Sequence, residues 1–157
     1  MSGGSFLDSN ILVYTDDAAD AGKQAAAIAL VSDVMRTRTG VVSLQVLQEY
    51  FAVVTRKLGV DAAAARAKVE LLGAFSTVPV DIDDVLAAID LHRLHQVSIW
   101  DGLIIRAAQQ ARCARIYSED LQHGRRFDSV EIVNPFLALG RAPRRKRPSS
   151  PKNPASD

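Results

Sequence analysis

Four acidic side chains, each in a different segment of the chain, are candidates for chemistry that carboxylates perform together. They are Asp8, Glu49, Asp101 and Asp120. Two like charges about 4 Å apart repel by about 4 kcal/mol at an effective dielectric near 20, so four carboxylates in one pocket need a cation. Ligand sets made only of oxygen favour hard cations such as Mg²⁺. If the fold brings these side chains together, we expect them to hold a divalent cation that can bind a phosphate.

Each of these acidic residues also has a purely structural interpretation. Asp8 interrupts the apolar stretch SFLDSNILVY and could cap the short helix that follows, because Asp is among the best N-capping residues. Ser98 and Asp101 have the spacing of a capping box before an apolar helix. Glu49 follows Gln48 on a helix whose other face is apolar, so it could simply belong to the solvated polar face. Asp120 follows a strand, where turn-forming Asp is common. Only the joint placement of the four residues favours a site.

The pattern of apolar residues predicts the elements that position these side chains. Short apolar runs typical of buried strands alternate with longer runs at helical spacing. The predicted strands span residues 5–8, 40–43, 76–80, 114–120 and 130–135, the last as an edge strand. The predicted helices span residues 10–14, 21–38, 44–58, 61–74, 81–95 and 98–113. This alternation indicates an α/β domain with a parallel sheet.

In such a domain the four carboxylates fall at one edge of the sheet. Asp8 and Asp120 lie at the carboxyl ends of predicted strands, whereas Glu49 and Asp101 lie in the first turns of predicted helices. Open parallel sheets bind ligands at the carboxyl ends of their strands. The sequence therefore predicts that the four side chains converge on one ligand site.

The predicted helix 44–58 has one apolar face. Its members recur at helical spacing and are Leu47, Tyr50, Phe51, Val54 and Leu58. We expect this face to be part of the core, and a surface for an oligomer or another protein is the alternative.

The charge distribution divides the chain into a domain and a tail. A length of 157 residues is that of one ordinary domain. Residues 1–140 carry a net charge of −4, whereas residues 141–157 carry +5 and have no apolar periodicity. A basic segment rich in Pro and Ser cannot bury enough surface to offset its chain entropy. We therefore predict a folded domain over residues 1–140 and a disordered basic tail over residues 141–157.

Cysteine content and hydropathy indicate a cytoplasmic location. The single cysteine, Cys113, excludes an internal disulfide and a cysteine-rich metal site. No apolar run approaches the roughly 20 residues of a membrane span, and no basic-then-apolar leader opens the chain. We expect a soluble protein that does not associate with membranes.

The four acidic segments, in this order, resemble the motifs of the PIN-domain ribonucleases, particularly the VapC-type toxins of toxin–antitoxin systems. The segments are FLDSNILVY, LQEYFAVVTRKL, SIWDGLIIRAAQQA and IYSEDLQHG. The resemblance covers residues 5–135 and leaves the basic tail outside. Ser9 and Ser118 stand where the family often has threonine, which is a mild departure.

The resemblance implies a PIN-like, three-layer α/β/α fold with a mostly parallel central sheet. It implies an endoribonuclease that depends on Mg²⁺ or Mn²⁺ and cleaves RNA phosphodiesters with a metal-activated water. Asp8, Asp101 and Asp120 would bind the metal directly, and Glu49 would bind it through water or orient the attacking water. The side chains that would keep these carboxylates in place are Asn10 and Ser118. A homodimer and a cognate antitoxin are also implied.

Other classes of protein have acidic pockets on α/β sheets. An aspartyl phosphatase needs a second Asp two residues after the first, and Asn10 stands there. A receiver domain needs a lysine beyond its last strand, and the segment VEIVNPF supplies none. A catalytically silent PIN-like module that binds RNA or a partner stays open as the alternative. Titration with divalent metals and an RNA-cleavage assay distinguish it from a nuclease.

Overall fold

Strands and helices alternate along residues 3–140, the part of the chain that the computed structural model describes. The strands are β1 (Gly4–Leu7), β2 (Gly40–Ser43), β3 (Ser76–Val78), β4 (Cys113–Tyr117), β5 (Arg126–Phe127) and β6 (Val130–Val133). The helices are α1 (Ser9–Tyr14), α2 (Ala21–Arg36), α3 (Leu44–Arg56), α4 (Ala62–Leu72), α5 (Ile82–His95) and α6 (Ile99–Gln110). A 3-10 turn, Leu137–Gly140, follows. The predicted basic tail lies outside the described residues.

The strands form one sheet in the order β3-β2-β1-β4-β6-β5. Every neighbouring pair is parallel except β5 and β6. The central strand β1 is apolar, and its Phe6 and Leu7 have no exposed surface. Strands covered on both faces are typical of parallel sheets flanked by helices. The prediction of a mostly parallel central sheet is confirmed.

The connections place helices on both faces of the sheet. From β1 the chain moves outward to β2 and β3, then crosses back over β1 to β4. Because such crossovers are right-handed, the reversal puts α1–α4 on one face and α5–α6 on the other. Helix α1 packs on α2 and α3, and α5 packs on α6, as this arrangement requires. Among residues 3–140, no helix combines the length and apolar character that crossing a membrane demands.

Each helix in the described residues begins with a capping side chain. The caps are Asp or Ser residues that accept a hydrogen bond from a backbone N–H of the first turn, namely Asp8, Asp20, Ser43, Asp61, Asp81 and Ser98. Such a cap contributes about 1 kcal/mol to helix stability. The start of each helix is therefore determined locally.

Two expectations about individual elements were wrong. Strand β6 is not an edge strand, because β5 pairs with its outer side. A strand of two residues is too short to produce a hydrophobic pattern, so the sequence does not predict β5. Tyr50 and Val54 of the α3 apolar face are fully buried, but Phe51 is 38% exposed. Phe51 borders a groove between α3 and α4 rather than the core.

Candidate functional site

The acidic site lies at the carboxyl edge of the sheet, where the strand order reverses between β1 and β4. Asp8 directly follows β1, and Ser118 and Asp120 follow β4. The two strands are parallel neighbours with Leu7 opposite Tyr117, and the Asp8 N–H donates to the Tyr117 carbonyl at 3.0 Å. Two segments more than 100 residues apart therefore end side by side. Such a reversal point is where open α/β sheets bind ligands.

The buried carboxylate of Asp8 both caps a helix and faces the site. Its side chain is only 4% exposed. Oδ1 accepts a hydrogen bond from the Ser9 N–H at 2.7 Å, which caps α1. Oδ2 accepts hydrogen bonds from Ser118 Oγ at 2.7 Å and Asn10 Nδ2 at 3.1 Å. Because Oδ1 caps the helix and Oδ2 faces the other segments, the capping and site interpretations of Asp8 are compatible.

Asn10 connects the segments that follow β1 and β4. Its Nδ2 lies 3.1 Å from Asp8 Oδ2, 3.1 Å from Asp120 Oδ2 and 3.3 Å from Ser118 Oγ. Its Oδ1 accepts a hydrogen bond from the Glu119 N–H at 3.1 Å. An amide nitrogen has two hydrogens, so the three contacts share them. One neutral side chain thus holds two carboxylates and the loop that follows β4.

Ser118 shapes that loop from inside the protein. Its side chain is fully buried. While it donates to Asp8, its Oγ accepts hydrogen bonds from the backbone N–H groups of Asp120 at 3.2 Å and Leu121 at 3.3 Å. This hydroxyl group therefore links the backbone at Asp120 to the Asp8 carboxylate, in addition to the link through Asn10.

Glu49 is held at both carboxylate oxygens by neutral donors. Oε2 accepts a hydrogen bond from Ser9 Oγ at 2.8 Å, and Oε1 accepts one from Gln45 Nε2 at 2.9 Å. Gln45 Nε2 also lies 3.3 Å from the carbonyl oxygen of Trp100, just before Asp101. The sequence interpretation missed Gln45. Its spacing of four residues from Glu49 on one helix signals the first contact, whereas nothing local signals the second.

Asp101 completes the acidic group from the first turn of α6. Its backbone N–H donates to Ser98 Oγ at 3.0 Å. Partial burial raises the pKa of the Asp101 carboxyl, a hydrogen bond with Ser98 opposes this, and the charges of Asp120 and Glu49 raise the pKa further. Four segments of the chain therefore bring carboxylates within electrostatic reach of one another.

The same neighbours affect Asp8 more strongly. Burial raises its pKa from 3.8 to about 6, although the hydrogen bonds from Ser118 and Ser9 favour the charged form. The charges of Glu49 and Asp120 add to the increase. A buried carboxylate with such a pKa lacks a compensating positive charge.

The donor set of the site fits a hydrated divalent cation. None of the ion pairs within residues 3–140 involves any of the four carboxylates. Lys23, at the border of the site, pairs with Glu119 instead. In the same residues, no three His, Cys, Asp or Glu side chains are arranged to grip an ion directly. Since Mg²⁺ keeps several waters and takes only one or two carboxylates, a looser set of oxygen donors suits it.

The strand order and the acidic cluster at the carboxyl edge define an α/β domain with convergent carboxylates at its topological switch point. The family model of the PIN domain matches residues 5–129, which is most of the chain. The chain therefore belongs to the PIN domain family.

Solved structures share this fold. The crystal structure of VapC20 from Mycobacterium tuberculosis, a sarcin-ricin loop cleaving toxin, superposes with a TM-score of 0.60 at 20% identity, covering 74% of this chain and 90% of that one. A toxin-antitoxin complex from Klebsiella pneumoniae superposes with a TM-score of 0.61 at 16% identity, covering 84% of this chain and 98% of that one. No curated protein matches the sequence. At these identities the likeness shows the shared fold.

Proposed function

We propose that this chain is a metal-dependent endoribonuclease and the toxin of a toxin–antitoxin pair. The observation that carries the proposal is the convergence of Asp8, Glu49, Asp101 and Asp120 on one edge of the sheet with no ion-pair partner among residues 3–140. So much negative charge repels RNA unless a cation neutralises it. Membership of the PIN family and the neighbour described as a sarcin-ricin loop cleaving toxin support the choice of RNA as substrate. The neighbour described as a toxin-antitoxin complex supports the choice of a toxin–antitoxin pair.

The metal in this proposal is Mg²⁺ or Mn²⁺. Of Asp8, Asp101 and Asp120, one or two would bind it directly and the remainder through its waters, because no three acidic side chains within residues 3–140 are arranged to hold an ion together. Glu49 would bind it through water or orient the attacking water. All four offer only oxygen, which hard cations prefer. When bound, the cation neutralises charge on the phosphate and makes a water molecule a better nucleophile.

The remaining work falls to side chains that hold these carboxylates still. Asn10 and Ser118 hold Asp8 Oδ2, while Ser9 and Gln45 hold the two oxygens of Glu49. Groups that are already in place need no reorganisation when charge develops on the phosphate. With a pKa of about 6, Asp8 is mostly deprotonated at neutral pH and available to a cation. None of these residues needs to form a covalent bond to the RNA.

Two protein partners belong to the proposal. A cognate antitoxin would restrain the nuclease, as the description of the Klebsiella pneumoniae complex suggests. A second copy of the chain would form a homodimer, and exposed apolar side chains of α5 at helical spacing, Ile82, Leu86 and Ile89, support this. Light scattering that reports a monomer at micromolar concentration would contradict the dimer.

A cleavage assay tests the enzymatic proposal. Purified full-length protein is incubated with tRNA, rRNA and mRNA in Mg²⁺, Mn²⁺ or EDTA, and the cleaved ends are mapped. We expect cleavage at defined positions only with a divalent cation. Asp8→Asn should abolish it, whereas Asp83→Asn, a change at an exposed position on α5, should not. Mn²⁺ binding without cleavage of any RNA would favour the silent binding module and overturn the enzymatic proposal.

A further inference from the structure

A cleft of about 330 Å³ lies directly beside the acidic site. It shares part of its wall with that site, through Ser9, Asn10 and Asp120. The rest of its lining comes from the end of α1, the end of α3 and two loops, and consists of Val13, Tyr14, Asp17, Val53, Lys57, Leu58 and Glu119. A polymer with a phosphate at the four carboxylates therefore has this cleft next to it.

The cleft combines apolar surface with one positioned aromatic ring. Val13 and Leu58 are partly buried against the core and offer apolar surface. Tyr14 packs edge-on against Phe136, with ring centroids 5.0 Å apart, and its hydroxyl accepts a hydrogen bond from Lys23 Nζ at 3.3 Å. Lys23 Nζ also lies over this ring, 5.0 Å from its centroid, so the ring is held in place and a nucleobase can stack only on the surface that the ring turns to the cleft.

Lys57 is the cation that the cleft offers to a phosphate, among the carboxylates of Asp17, Glu119 and Asp120 in the same lining. Lys57 caps the end of α3, is exposed and takes part in none of the ion pairs formed within residues 3–140. Lys23, by contrast, is paired with Glu119. An ammonium group without an ion-pair partner in this part of the chain compensates part of the repulsion between a polyanion and the neighbouring Asp120. Contacts to phosphates position a nucleic acid, and stacking holds its unpaired bases.

We propose that this cleft binds the nucleotide next to the scissile phosphate, with the base against Tyr14 and the adjoining phosphate at Lys57 Nζ. The proposal rests on the proposed RNA-cleaving function and adds a substrate-binding site to it. Only an unpaired base can occupy the cleft, because a base paired in a duplex cannot enter it.

A pair of neighbouring cations provides the test. Lys57 lines the cleft and Arg56 does not, yet both are exposed and lie at the same end of α3. Lys57→Gln should raise the KM for single-stranded RNA several-fold with little change in kcat. In full-length Asp8→Asn protein, where cleavage does not interfere, Lys57→Gln should flatten the slope of log affinity against log salt by about 0.7, the value for one phosphate contact. Arg56→Gln should change neither quantity.

Tyr14 gives a second, independent measurement. Tyr14→Leu should weaken RNA binding by about fivefold or more, because stacking on the ring is lost, whereas Tyr14→Phe keeps the ring and should bind nearly as the parent does. Thermal melts check that each variant is folded. If Tyr14→Leu is unfolded, the comparison of Lys57 with Arg56 still decides, since both side chains are exposed.

The outcomes separate this proposal from the nuclease function. Wild-type protein that cleaves no RNA with any divalent cation contradicts the proposed function itself. Wild-type protein that cleaves RNA, while Lys57→Gln behaves like Arg56→Gln, overturns only the cleft proposal. A cleft that serves a protein partner would leave RNA binding by the Lys57 and Tyr14 variants unchanged, which also overturns it.

Discussion

The hydroxyl of Ser9 donates a hydrogen bond to Glu49 Oε2 at 2.8 Å and so joins the end of β1 to α3. The backbone N–H of the same serine donates to Asp8 Oδ1 at 2.7 Å. One residue therefore orients two of the four carboxylates. Because neither donor carries a charge, the carboxylates are positioned without being neutralised, and their charge stays available to a cation.

Replacing Asp8 by Asn should abolish metal-dependent RNA cleavage without destabilising the metal-free protein. One buried charge disappears, and the amide oxygen can still accept the Ser9 N–H bond that caps α1. The cost is the loss of the hydrogen bonds that Oδ2 accepts from Asn10 Nδ2 and Ser118 Oγ, each worth about 1 kcal/mol, because the amide nitrogen of Asn cannot accept them. Cleavage assays and thermal melts in EDTA measure the two effects. An active variant would mean that Asp8 serves only as a cap.

The stability of the metal-free protein should depend on pH through Asp8. Its pKa is about 6 in the folded protein against 3.8 ordinarily, so the folded state binds this proton more tightly than the unfolded state. The protonated Asp8 carboxyl therefore stabilises the folded protein fully below a pH of about 3.8, the pKa in the unfolded chain. This stabilisation is lost as the pH rises through about 6, the pKa in the folded protein. The whole change in the free energy of unfolding is about 3 kcal/mol, and about 2 kcal/mol of it should be lost between about pH 4 and about pH 6.

Urea titrations in EDTA over this pH range measure the effect. Other carboxylates titrate in the same range, so the informative quantity is the difference between wild type and Asp8→Asn. That difference should shift in favour of the variant as the pH rises. A difference that does not change with pH would show that the Asp8 pKa is not raised.

Mg²⁺ or Mn²⁺ should raise the melting temperature of wild-type protein much more than that of Asp101→Asn. A ligand that binds only the folded state adds about 2.7 kcal/mol at a concentration of 100 times its Kd. Asp83→Asn removes the same charge from an exposed position on α5 and should respond to the metal as wild type does. Equal stabilisation of wild type and Asp101→Asn would remove Asp101 from the metal site.

Gln45 should act as a positioning residue for Glu49. Gln45→Met keeps the length of the side chain but removes the hydrogen bonds to Glu49 Oε1 and the Trp100 carbonyl. We expect kcat to fall about tenfold, as when a residue that supports a metal ligand is lost, with weaker Mn²⁺ binding and an unchanged KM for RNA. Gln48→Met, at an exposed position of the same helix, is the control. A variant with wild-type Mn²⁺ affinity and kcat would leave Gln45 with no role beyond folding.

Residues 141–157 should add affinity for RNA without adding sequence preference. Their charge is +5, beside a domain of −4. A basic segment can contact phosphates without recognising bases, and each contact on a single strand contributes about −0.7 to the salt slope. Deleting a tail that makes three or four contacts should flatten the slope by roughly 2 to 3. A truncated chain of residues 1–140, compared with full-length protein by salt titration and end mapping, tests this. An identical salt slope in both proteins would leave the tail without an electrostatic role.

Much of the fold could be predicted because its elements are determined locally. Strand β2 was predicted with its observed ends, and every helix of the described residues was predicted, with ends that differ by up to three residues. Asp8 and Asp120 could be assigned to one sheet edge because each lies at the carboxyl end of a short apolar run that is typical of a buried strand. Their common location then follows from the rule that parallel strands end at the same edge.

What only the tertiary structure decided are contacts between distant segments. The alternation of elements does not reveal on which side of the existing sheet each new strand is added. The strand order and the antiparallel β5 are therefore visible only in the structure. The bond from Gln45 to the Trp100 carbonyl and the exposure of Phe51 likewise depend on which helices meet. Hydrophobic periodicity reports which side of a segment is buried, because residues that share one face of a strand or helix recur every 2 or 3.6 residues. It does not report the partner, since that depends on how elements far apart in the sequence pack together.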